Sequence, residues 1–384
     1  MDTTFLGRRL VDTPEPRYAG VFYALVQGTR GGRRAAYQVA NELSLGDKIQ
    51  RETLSLDWRD EPALDWRLTI HPAFEWRHDR SFGRGERHWS GSLGGRLRRD
   101  FDDRATAVEL GVLGDMSRTR GEGSEFLPDR DALRGSLALD HLGLLGQDWR
   151  LAYSLATRVF PDSTTRDHYE HAWEGHWRQP LAGGHVLTVE ATGHRRQTHR
   201  VVTTTRDNFW EETATIDGDW RTAERWAVTT RLEGEALQYD LEEPQVYFDY
   251  QTVRGQLGLR YESPAHWVLS AGPRIERLAA PLDPDEAYRE VAAFAEFEVL
   301  GAHSLWDVTP AAGWRDYDRS QPDAIAAGLH SSYVFGELDA FVDQPLMDRL
   351  RLRTLATLRY ESHSDPSQNA GSIQLSVQMR WGAD

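Results

Sequence analysis

The chain has 384 residues and no cysteine, which excludes disulfides, thiolate metal ligands and a Cys nucleophile. Hydrophobic residues make up 39%, mean hydropathy is −0.61, and no run approaches the ~18 apolar residues of a membrane helix. With 60 acidic and 45 basic residues the net charge is −15, which excludes general nucleic-acid binding, since phosphate contacts need a basic face.

In chain order, the recurring pattern is alternation at period two. Trp66, Leu68, Ile70, Phe74 and Trp76 alternate with Arg67, Thr69, His71, Glu75 and Arg77. Leu187, Val189 and Ala191 alternate with Thr188, Glu190 and Thr192. Trp226, Val228, Thr230 and Leu232 alternate with Thr229, Arg231 and Glu233, and Val253, Leu257, Leu259 and Tyr261 with Arg254, Gln256 and Arg260. The last segment sets Ile373, Leu375, Val377, Met379 and Trp381 against Gln374, Ser376, Gln378 and Arg380. Few windows carry apolar residues at helical spacing, so helices are expected to be scarce. Globular strands run about 3–10 residues. The longer segments here suit tilted membrane strands, which average out to a polar composition because their two faces alternate.

Short connections alternate with longer, more polar ones. The short set includes Asp60-Glu61-Pro62, Gly146-Gln147-Asp148, Ser263-Pro264 and Gly301-Ala302; the long set includes Gly121 to Arg130, Leu241 to Pro244 and Ser320 to Asp323. This asymmetry is that of barrels with short periplasmic turns and longer external loops, and no external loop is expected to exceed about 10 residues, so none is long enough to fold inward as a constriction. The expected fold is therefore all-β: a transmembrane antiparallel up-and-down β-barrel of about 18 strands, with 16–20 allowed. The first strand lies near Arg34, and Tyr18 to Gln27 is a candidate nineteenth. Residues 1–16 read as an N-terminal segment or linker and 17–384 as the barrel. Met1 to Thr4 show no signal peptide, so export would require residues upstream of Met1 or a mature form given a new Met.

Nine of the 14 tryptophans flank the tight turns: Trp58, Trp66, Trp149, Trp177, Trp220, Trp226, Trp267, Trp306 and Trp381. They are expected at the membrane interface, where an indole buries its ring and offers its N–H to headgroups. Four sit in Asp-Trp-Arg triplets, around Trp58, Trp66, Trp149 and Trp220. The neighbours of an outward residue point inward, so each triplet should feed ion pairs on the inner wall. The inward set includes Arg67, Glu75, Glu109, Arg134, Glu190, Arg231, Glu233, Glu235, Arg254, Arg260, Glu296, Glu298, Glu337, Asp339, Arg351 and Arg353, expected to line a pore. So many charges cannot pack dry without partners, and the interior is expected to hold water, a solute path or a polar partner.

The segment Gln374 to Trp381 resembles the final strand of the Gram-negative outer-membrane β-barrel superfamily, which usually ends in an aromatic residue. It departs from that pattern in using Trp where Phe is usual and in continuing to Gly382-Ala383-Asp384. The resemblance covers nearly the whole chain as architecture, implies the outer membrane and its lipid as surroundings, and assigns no subfamily.

No signature of chemistry accompanies it. His168, Glu170, Glu174 and His176 share one strand face, but residues i and i+2 stand ~6.5 Å apart and do not converge on one metal. His194, His199, Asp162 and Ser163 form no recognisable catalytic arrangement. No enzyme activity, metal or cofactor is expected. The first functional reading is a wide polar pore, porin-like, for diffusion or transport of solutes. The second is the barrel of a larger export or conduit complex, filled or gated by a periplasmic or lumenal protein. The third is a soluble all-β carbohydrate-binding or hydrolytic protein.

Overall fold

The computed structural model describes residues 18–30, 35–46, 49–80, 85–101, 105–121, 129–199, 208–240, 249–301, 304–318, 329–347 and 350–381. The 1–16 segment lies outside them. Among the described residues every long element is a strand, and the helical pieces are four 3-10 turns of three residues each, at 164–166, 182–184, 284–286 and 366–368.

The contacts fall into two compact units. The first contains β1 (Tyr18–Arg30), β2 (Ala35–Gly46), β3 (Ile49–Asp60), β4 (Trp66–Asp79), β5 (Glu86–Phe101), β6 (Thr106–Gly121), β7 (Arg130–Leu142) and β8 (Asp148–Val159). They form an unbroken antiparallel meander, each strand paired with the next. β9 (His168–Pro180), β10 (Val186–Thr198) and β11 (Phe209–Ala223) each divide between the units. The second unit contains β12 (Trp226–Tyr239), β13 (Tyr250–Glu262), β14 (Trp267–Ala279), β15 (Tyr288–Leu300), β16 (Leu305–Tyr317), β17 (Tyr333–Met347), β18 (Leu350–His363) and β19 (Ala370–Trp381). It is again a consecutive antiparallel meander. The eighteen strands expected from Arg34 onward are β2–β19, and the nineteenth candidate is β1.

The period-two pattern becomes two chemically distinct faces because cross-strand partners point the same way. In β13 the apolar set Val253, Leu257 and Leu259 is about half exposed. On the other face of the same strand, Arg254 bonds Glu233 and Glu276 on the flanking strands. Along β7 and β8 the apolar face carries the exposed Leu133, Leu137, Leu151, Tyr153 and Leu155. Large apolar side chains left on the outside of a sheet, strand after strand, lack a partner in water and find one in hydrocarbon.

The short turns repeat one design. Ser263 N–H donates to Trp267 O, Gly143 N–H to Gln147 O and Leu181 N–H to His185 O. The residue before each of these acceptors takes positive φ: His266 at 63°, Gly146 at 78° and Gly184 at 80°. Asp65, at φ 66° before Trp66, belongs to the small polar class that tolerates this region.

One connection corrects the sequence reading. β16 ends at Tyr317 and β17 begins at Tyr333, so this connection exceeds the expected limit of about 10 residues. At its described end Ser364 N–H donates to Ser332 O and Gln368 Nε2 to Leu329 O, while Ser332 Oγ bonds Asp316 and Tyr317 of β16 and Ser331 Oγ bonds His363 of β18.

Candidate functional site: the polar face

Register assembles the charged residues into rows. In the first unit, Arg67 reaches Asp100 at 2.5 Å and Arg98 links Asp100 at 2.9 Å to Asp140 at 2.6 Å. Arg150 continues the row, 2.7 Å from both Asp140 and Glu174. Glu75 bonds Arg51 at 3.0 Å. Glu109 stands opposite Arg98. Arg134 faces Leu113 and Ala156 and is exposed. The triplet residues thus pair across strands as their parity required: Arg67 and Arg150 as above, Asp148 with His176 at 2.7 Å.

The second unit carries two zones on its polar face. One is packed. Glu290, 3% exposed, accepts from Arg274 at 3.0 Å and Arg315 at 2.7 Å, and Arg274 also bonds Glu337 at 3.0 Å. Tyr288 donates its hydroxyl to Glu276 at 2.5 Å, and the Arg315 guanidinium lies 3.8 Å from the Tyr288 ring centre. Tyr333, Phe335 and Ala292 cluster beside them with Tyr317. Such burial is tolerable because each carboxylate meets an arginine.

The other zone is more open and mostly acidic. Glu298 stands opposite Asp307, Glu296 opposite Ser270, and Asp339 opposite Thr309 and Thr357. Arg231 bonds Glu233 at 2.6 Å and lies 3.7 Å from Asp217. Glu235 accepts from the Tyr250 hydroxyl, Arg260 bonds Asp219 at 2.6 Å, and Arg351 and Arg353 each reach Asp343 at 2.9 Å. Glu190 sits in β10 and contributes to the charge around Asp217.

The tryptophans occupy the apolar parity. In the second unit their rings run together beside the short turns: Trp226 to Tyr261 at 4.7 Å, Tyr261 to Trp267 at 5.4 Å, and Trp267 to Phe297 at 6.0 Å. Trp306 stands opposite Val299 and Trp381 opposite Leu350, and Trp220 donates to Thr230 at 3.0 Å. In the first unit Trp149 stacks on His141 at 5.6 Å. Trp66 lies 5.2 Å under the Arg99 guanidinium, and Trp58 stands opposite Ile70 and Tyr37. Trp177 in β9 is exposed.

The residues weighed for chemistry stay apart. His168 bonds Glu170 at 3.1 Å, Glu170 bonds Arg158, Glu174 bonds Arg150, and His176 bonds Asp148. Among the described residues no three His, Asp or Glu side chains converge for a metal. His199 turns to Thr157 at 3.1 Å, His194 packs edge-on to Phe209, and Ser163 lies 3.4 Å from Thr165.

Sequence reasoning missed a Ser–His–Glu trio: Ser331 Oγ is 3.0 Å from His363 Nδ1, and His363 Nε2 is 3.3 Å from Glu361. Ser331 is fully buried. Gln368 Oε1 accepts from both its N–H at 3.0 Å and its hydroxyl at 2.9 Å. A hydroxyl so occupied and enclosed is a fastening between the connections around β17, β18 and β19. Also missed were Arg274, Glu276, Glu290 and Arg315; the parity of Glu296 and Glu298, carried outward along β15 and its neighbours, was the available signal.

Compared with family models and with curated protein sequences, the chain matches none. Solved structures do match. The siderophore receptor PirA of Pseudomonas aeruginosa aligns at TM-score 0.55 and 11% identity, over 95% of this chain and 72% of that one. A variant of the ferric enterobactin receptor PfeA of the same species aligns at 0.59 and 10%, over 94% and 69%. The alcaligin outer-membrane receptor FauA of Bordetella pertussis aligns at 0.54 and 13%, over 97% and 72%. At such identities the likeness speaks for architecture, and together with the alternating faces it makes this chain's fold that of the Gram-negative outer-membrane β-barrels.

Proposed function

We propose that the chain is an outer-membrane transport barrel whose polar face forms a hydrated, charge-lined path for hydrophilic solutes. The observation that carries this reading is the division of each strand: exposed aliphatic side chains on one face, and ladders of arginine and carboxylate on the other. In the open zone Arg231 and Arg254 keep about half of their side-chain surface exposed, as groups lining water would. Arg67, Glu75, Glu109, Arg134, Glu190, Arg260, Glu296, Glu298, Glu337, Asp339, Arg351 and Arg353 would share that lining, and the nine turn-flanking tryptophans would sit at the interface.

The test is conductance of the purified chain in planar bilayers. Ion-conducting steps with a weak cation preference are expected, because acids exceed bases by 60 to 45. The preference should fade as salt shortens the Debye length below ~8–10 Å. Strong anion selectivity would contradict it.

A second reading is supported by the three solved structures described above, each named as a receptor. In it the barrel takes up a specific solute, or holds a protein partner inside it. Absence of conductance from a correctly folded chain would select this reading.

A further inference from the structure

The turn between β7 and β8 is built from Leu142-Gly143-Leu144-Leu145-Gly146-Gln147. Gly146 N–H donates to Gly143 O at 3.0 Å and Gly143 N–H to Gln147 O at 2.7 Å, which sets Leu144 and Leu145 at the two corners of a β-turn. Corners favour Gly, Pro, Asn, Asp and Ser, whose side chains or backbone freedom serve the turn. Leucine does neither, and these two bury almost nothing: Leu144 is 105% and Leu145 82% exposed, with Leu142 at 60%. No charged residue interrupts the segment, whereas the Asp60-Glu61-Pro62-Ala63-Leu64-Asp65 turn between β3 and β4 carries three acids. Just inside the β7–β8 turn, on the apolar parity, Trp149 stacks on His141. Beyond them the exposed Leu137, Leu151, Tyr153 and Leu155 continue the same apolar band along the hairpin.

We infer that this turn does not project into water but lies in the bilayer interface, with Leu144 and Leu145 inserted among lipid chains beside Trp149. The apolar band passes the girdle tryptophan without a break. The tip presents two leucine side chains and no charge, in line with the exposed apolar band, so the hydrocarbon that accepts the band accepts the tip as well. Amphipathic segments with leucine and tryptophan on one side settle at this depth for the same reason. The inference rests on the reading of the chain as a membrane barrel.

The absence of native cysteine allows single nitroxide labels on the full chain in phospholipid vesicles. Leu145→Cys reports the tip, Leu155→Cys the strand's apolar face, and Glu61→Cys the charged turn. Collision with oxygen, which partitions into lipid, is compared with collision with a water-soluble nickel chelate. Labels at 145 and 155 are expected to favour oxygen and the label at 61 the chelate. A chelate-accessible 145 beside an oxygen-accessible 155 overturns the inference while sparing the barrel reading. A chelate-accessible 155 overturns both. A label at 145 shielded from both reagents means protein covers the turn, a second copy of the chain in this purified system, and equally overturns lipid insertion.

Discussion

The two faces of β13 and β14 obey opposite rules. On one, Val253, Leu257, Leu259 and Ile275 lie exposed with no ion pair among them. On the other, Arg254, Glu276 and Glu233 hold each other by ion pairs. The first face is stable only where its surroundings are hydrocarbon, so its tolerance is for any apolar shape and for no charge. The second is stable wherever each charge meets its opposite, so its tolerance is for charge in balance. Along β14–β18 the second rule reaches its limit: near Glu290 the polar face is as buried as a globular core, while near Glu298 it is open and unbalanced.

Three sets of substitutions test this contrast, and the largest effect is expected where polar packing is densest. Glu290→Ala removes the acceptor shared by Arg274 and Arg315. Arg274 retains Glu337, but Arg315 is left 4.0 Å from Glu276, a poor replacement. Breaking a buried pair from one side costs about 3–5 kcal/mol, and the retained partner argues for the lower end. Urea titration of the folded chain in vesicles should show an earlier midpoint; an unchanged midpoint would mean the cluster contributes nothing to stability.

The next effect lies across the strand. Leu257→Arg or Leu375→Arg should impair assembly by about 2–4 kcal/mol, the cost of arginine near the bilayer centre, whereas Gln374→Arg, opposite Thr357, should not. Gln256 is a poorer control for arginine because its partners are Arg231 and Arg274, and like charges set opposite repel; Gln256→Glu suits that position instead. Heat-modifiable gel mobility reports folding. Equal impairment on both faces would break the assignment of apolar and polar sides.

Much of this contrast was legible in the sequence, since a strand has one degree of freedom, its parity, and tryptophans beside short turns reveal it. Parity put Arg67, Arg150 and Arg260 on the polar face, where they bond Asp100, Asp140 and Asp219, although register sets only Arg150 directly opposite its acid. What the sequence did not reveal is density. Nothing in the alternation of Arg274, Glu276, Glu290 and Arg315 distinguishes a solvated row from a buried cluster, because that depends on Tyr288 of β15 and on Tyr333 and Phe335 of β17 packing beside them. The connection between β16 and β17 was underestimated for a similar reason. The hydrogen bonds of residues 329–332 run to Gln368, Ser364, His363 and Glu286, partners far away in sequence, as well as to Asp316 and Tyr317.

The smallest effect belongs to the open acidic zone. Glu298 faces Asp307 across β15 and β16, with Glu296 one inward position away on the same strand. If the zone borders a water-filled path, its fixed charge contributes to cation preference without holding the fold together. Glu298→Lys should therefore leave the urea midpoint nearly unchanged, since setting an ammonium opposite Asp307 relieves a like-charge pair worth only a few tenths to about 1 kcal/mol. The reversal potential in a KCl gradient should move toward zero, and the shift should shrink as salt is raised, because screening at ~1 M reaches only about 3 Å. A stability loss comparable to that of Glu290→Ala would place Glu298 in a packed wall instead. A reversal potential insensitive to the exchange in a conducting channel would put the ion path elsewhere than along β15 and β16.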